Sequence, residues 1–115
     1  MRATARRAEL EEAILHFVRA LEREIRIEAV ILYGSYTTGE PHEWSDIDLA
    51  VVSPDFDGVS MSKRQSTISR LGWRDADLRI EPIGYPSSEY HDPGRHSFLR
   101  EIIRTGRVVY EAPTK

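Results

Sequence analysis

Two aspartates, Asp46 and Asp48, open the otherwise apolar stretch DIDLAVVS, and Gly34 and Ser35 follow directly on the apolar run AVILY upstream. In an extended strand, residues two apart point the same way, so both carboxylates share a face with roughly 6 to 7 Å between their α-carbons. Carboxylates that close stay ionised together most readily when water surrounds them or a divalent cation sits between them. Magnesium suits the pair, because it takes one or two carboxylates and completes its octahedron with waters and substrate phosphate oxygens. Ile47, Leu49 and Val51 fall on the opposite face, while Ala50 and Val52 continue the acidic face as packing surface. The pattern predicts a metal site at one edge of a buried strand.

Gly34 and Ser35 predict the phosphate side of that site. A glycine at a strand end lets backbone amides approach an anion closely, the serine adds a hydroxyl, and a helical turn opening at SYTTG would direct free N–H groups at phosphate. Gly34 and Gly39 satisfy the first half of a P-loop, but Glu40 and Pro41 stand where Lys and Ser/Thr are required, and no GxGxxG occurs. Both common nucleotide motifs are thereby excluded.

The elements that must position these groups follow from periodicity. Leu10, Ile14, Phe17, Val18, Leu21 and Ile25 recur at helical spacing with charged residues between them, which predicts an amphipathic helix lying on a core. Residues 29–33 read as a first strand, and residues 46–53 as a second stopped by Pro54. Ser60 or Ser62 is placed to cap a helix running to about Leu71, and a third strand is expected over residues 77–81, ended by Pro82. PSSEYHDPG reads as loop or a short helical turn. Phe98, Leu99, Ile102 and Ile103 mark a last helix over residues 95–104, closed by Gly106 and followed by the short strand RVVY.

If the first two strands are antiparallel neighbours, Gly34 and the aspartates meet at one sheet edge. A third strand antiparallel to the second would bring its end, and Glu81 with it, to the same edge. Asp77 has the same facing but lies roughly 13 Å further along the strand, so Glu81 is preferred. Arg79 shares that face as a phosphate contact or a salt-bridge partner.

The stretch GSYTTGEPHEWSDID, a GS followed by ten residues and then DxD, resembles the signature of the minimal nucleotidyltransferases, a branch of the DNA polymerase β-like superfamily. The resemblance covers nearly the whole chain and implies an α+β fold, with a small mixed, largely antiparallel sheet flanked by helices. It also implies transfer of AMP from ATP, with Asp46, Asp48 and Glu81 binding two magnesium ions and acting as the catalytic carboxylates. Gly34 and Ser35 would hold the triphosphate, with Ser45 as a further phosphate contact. The third acid of the family is often Asp, and here it is the longer Glu81. Stand-alone members are similar to antitoxins encoded with a HEPN-type toxin, which they silence by adding AMP to a tyrosine. The RxxxxH-type motif of such a toxin is absent here.

Bulk composition sets the remaining limits. The chain has 115 residues, 40% hydrophobic and 30% charged, with a net charge of −3 and no cysteine. That length predicts one domain over residues 1–115. The charge argues against broad adhesion to nucleic acid or anionic membrane, and the lack of cysteine excludes disulfides and thiolate metal sites. No apolar run reaches membrane-spanning or signal-peptide length, so a cytoplasmic protein is expected. With no appended acceptor-binding region, the acceptor is expected on another protein or on a second copy of this chain. Two other functions fit less of the pattern: an aminoglycoside-type nucleotidyltransferase, and an idle binding module that neutralises a partner by occlusion. His42, His91 and His96 read as solvated, Tyr36 and Trp44 as rim packing or base contacts, and Asp55 and Asp57 as turn formers.

Overall fold

A computed structural model describes residues 2–34, 47–70 and 80–113, with the backbone alone for residues 2–7. Helix α1 (Arg2–Glu22) buries Leu10, Ala13, Ile14, Phe17, Val18 and Leu21, the stripe that its spacing of three and four residues predicts. Strands β1 (Ala29–Tyr33) and β2 (Ile47–Ser53) follow, and the 3-10 turn Pro54–Phe56 then leads to helix α2 (Met61–Arg70). Ser60 caps α2, its hydroxyl accepting from the Lys63 N–H at 3.2 Å. Strand β3 (Ile80–Pro86), the short helix α3 (Ser87–His91), helix α4 (Ser97–Thr105) and strand β4 (Arg107–Glu111) complete the order. Gly106 closes α4 as expected, its N–H donating to the Ile102 carbonyl.

The four strands lie in the order β3-β2-β1-β4. One face carries Val30, Leu32, Ile47, Leu49 and Val51 beneath α1 and Ile68 of α2. The other carries Ala29, Ile31, Ala50, Val52 and Tyr85 beneath Leu99 and Ile102 of α4. Alternation along β2 thus serves two cores, which is why the strand is apolar on both faces between Asp48 near its start and Ser53 at its end.

The third strand departs from expectation in direction and extent. β3 runs parallel to β2, not antiparallel, and it passes through Pro82 to Pro86 instead of ending there. Parallel neighbours need a crossover connection, and α2 stands between them in sequence to make it. Proline is tolerated because β3 is an edge strand whose residues 82 and 84 turn their backbone groups away from β2. Gln65 receives those groups: its amide donates to the Pro82 carbonyl at 3.0 Å and accepts from the Gly84 N–H at 2.9 Å. Arg64, 8% exposed, donates to the carbonyls of Gly84 and Val59 at 2.8 and 3.0 Å. Side chains of α2 therefore occupy the edge where another strand could add. Arg64→Met, which keeps the apolar stem, is expected to cost about 3 kcal/mol in urea unfolding, because two carbonyls lose their donor.

Asp55 does more than form a turn. The Arg26 side chain and backbone N–H both donate to its carboxylate, and these bonds hold Asp55 below the usual carboxylate range. A depressed carboxyl stabilises the fold at neutral pH, and that contribution disappears as pH falls below about 4, through the folded-state value. Asp55→Asn should flatten the acid limb of the stability curve while leaving stability above it nearly independent of pH.

Candidate active site

The C-terminal end of β1 and the N-terminal ends of β2 and β3 meet at one edge of the sheet. Tyr33 pairs with Asp48, and Asp48 pairs with Glu81, so the three form one row across adjacent strands. Paired residues share a face, and alternation places this row on the α4 side with Ala50, Val52, Ile83 and Tyr85. Glu81 arrives at this edge from the start of its strand, which the parallel direction of β3 allows. Glu81 is exposed and Asp48 partly buried.

Gly34 lies against the carboxylate of Asp48. Its backbone is left-handed, with φ +84°, and a Cβ built there would stand 2.4 Å from Oδ2 of Asp48. Only a residue without a side chain permits both the conformation and the approach. Tyr33 is half-buried beside the acids; burial first, then the charges of Asp48, Tyr85 and Glu81, pushes its phenol up to about 12. It stays a neutral hydrogen-bond donor at physiological pH.

Of the residues expected at the site, the structure therefore brings together Gly34, Asp48 and Glu81. Ser35, Ser45 and Asp46 lie outside the described residues, as do Tyr36, His42, Trp44, Asp77 and Arg79. No cluster of three metal-ligating side chains occurs among the described residues. Asp48 and Glu81 nonetheless fit an oxygen-liganded cation such as magnesium, being directly opposed hard donors next to a backbone that can approach an anion.

Two residues at this edge escape a reading of the sequence. Tyr33 looks like the last apolar residue of a strand, and Phe98 like a core position of α4. In fact Phe98 is 50% exposed, and its ring meets Tyr33 edge-on with centroids 5.8 Å apart. His96 and His91 are also engaged: Nδ1 of His96 accepts from the Leu99 N–H and its ring packs on Tyr85, while His91 pairs with Glu28 at 2.5 Å.

The sequence pattern of the family described as "Polymerase beta, Nucleotidyltransferase" matches residues 16–115. The chain belongs to this nucleotidyltransferase family. A relative from Methanocaldococcus jannaschii, named a "putative protein adenylyltransferase", is 34% identical over 103 residues, covering 87% of this chain and 97% of the relative. Among solved structures, a "putative nucleotidyltransferase" from Sulfolobus solfataricus has a TM-score of 0.71 at 16% identity, over 96% of this chain and 88% of that one. A toxin-antitoxin structure with AMP-PNP gives 0.53 at 22% identity, over 89% and 73% of the two chains. At these identities both structures show the nucleotidyltransferase fold, with its mixed, mostly antiparallel sheet.

Proposed function

We propose that the protein transfers AMP from ATP to a protein hydroxyl, the acceptor being a tyrosine of a HEPN-type toxin for which this chain is the antitoxin. The observation that carries this reading is the register of Asp48 against Glu81 with Gly34 pressed on the same carboxylate. The relative named as a protein adenylyltransferase supports a protein acceptor, and the toxin-antitoxin neighbour with AMP-PNP supports both a toxin partner and a nucleotide.

In this reading Asp46, Asp48 and Glu81 hold two magnesium ions, and Gly34, Ser35 and Ser45 hold the triphosphate. Bound magnesium supplies charge stabilisation for the transferring phosphoryl group and the leaving pyrophosphate. The acceptor oxygen attacks the α-phosphorus, the bond to the bridging oxygen of pyrophosphate breaks, and a carboxylate of the acidic cluster receives the hydroxyl proton. Asp48 sits between Gly34 and Glu81, so it joins the triphosphate side of the site to an exposed side where an acceptor can enter. The reaction draws on ATP of the cytoplasm.

The test mixes purified protein with the candidate toxin, ATP and magnesium, and reads the toxin by intact mass. Gain of one AMP, mapped to a tyrosine and accompanied by loss of toxin activity, is the expected result. An unchanged toxin mass in the presence of nucleotide and metal counts against the proposal.

A further inference from the structure

Phe98 is 50% exposed, whereas its neighbour Leu99 and, one turn on, Ile102 are buried. Burial in the core does not account for a phenylalanine held at that flank of α4. Its ring stands at 85° to that of Tyr33, and Tyr33 begins the row that continues through Asp48 to Glu81. The candidate site thus has carboxylates at one end and an aromatic pair at the other. Neighbouring strands are about 4.8 Å apart, so the aromatic end lies within a nucleoside's length of Asp48.

Which substrate group meets the ring follows from Gly34. This glycine is the residue after Tyr33, its backbone lies against the carboxylate of Asp48, and in the proposed reading it holds the triphosphate. The aromatic pair therefore lies on the nucleotide's side of Asp48, and exposed Glu81 lies on the other side. We propose that Phe98 is the contact for the nucleobase, with Tyr33 as the positioning residue that braces its ring. The inference rests on the nucleotidyl-transfer reading and adds a substrate-contacting residue to it. A phenyl face stacks on every base and makes no directional hydrogen bonds, so this contact contributes affinity with little choice among bases.

The experiment is calorimetric titration of the wild type, Phe98→Ala, Phe98→Leu and Phe98→Trp with the magnesium complexes of ATP, GTP, CTP and inorganic tripolyphosphate. Loss of one stacking contact should weaken all three nucleotides about tenfold in the Ala and Leu variants. Tripolyphosphate affinity should stay unchanged, and Trp should restore nucleotide affinity. The Leu variant retains apolar packing, so a parallel loss in Ala and Leu marks the flat ring itself. Nucleotide affinity unchanged in Phe98→Ala, or tripolyphosphate weakened alongside it, would overturn the proposal. If the wild type binds tripolyphosphate and ATP equally, the base contact falls and the phosphate site survives; if it binds neither, the nucleotidyl-transfer reading fails too.

Discussion

Asp48→Asn is expected to reduce AMP transfer by about a thousandfold or more while leaving the fold intact. Asparagine keeps the shape of the side chain but removes the charge that a divalent cation requires, and several kcal/mol of transition-state stabilisation corresponds to that factor. Asp48 is the middle of its row, in register with both Tyr33 and Glu81, so no neighbour in the row can take its place. Transfer is read by the mass of the modified acceptor, stability by thermal melting, and partner affinity by calorimetry. An enzyme loses transfer and keeps its partner. If Asp48→Asn instead protects cells from the proposed toxin as well as the wild type does, the protein works by occlusion and the carboxylates are not its chemistry.

Gly34→Ala should also reduce transfer strongly, and here the cause is steric. The added Cβ would fall 2.4 Å from Oδ2 of Asp48, so the carboxylate must leave its position, and φ +84° adds backbone strain. The strain alone is worth about 1–2 kcal/mol. Gly58→Ala is the matched control: it too has a positive φ, of +75°, but its Cβ would meet nothing within 4 Å. Both variants should lose similar stability from strain, with Gly34→Ala losing somewhat more, and only Gly34→Ala should lose activity, by about a hundredfold or more. Equal activity in the two variants would mean that the contact between Gly34 and Asp48 has no part in the reaction.

What these variants probe was unequally legible in the chain. Local rules determine which way a side chain faces, how a helix is capped and where a backbone must be glycine. Those rules placed Asp48 on the face opposite Leu49 and Val51, and Gly34 and Gly106 at element ends, as the structure has them; for the start of α2 they offered Ser60 or Ser62, and the structure uses Ser60. Separately from those rules, the stretch GSYTTGEPHEWSDID resembles the signature of the family that residues 16–115 match.

Strand direction was not legible, because it depends on pairing between distant segments and not on period. Pro82 read as a strand end since a central strand cannot spare an N–H; at an edge the missing donor costs little, and Gln65 and Arg64 complete what remains. The parallel course of β3 then delivered Glu81 opposite Asp48 from the start of its strand. Likewise Phe98 is a regular position on the wheel of α4, and only packing of that helix over the sheet sets it beside Tyr33 at the acidic edge. Sequence alone determined the chemical groups and their facing; tertiary structure decided which of them meet, since a meeting across strands is a property of long-range contacts that no local spacing encodes.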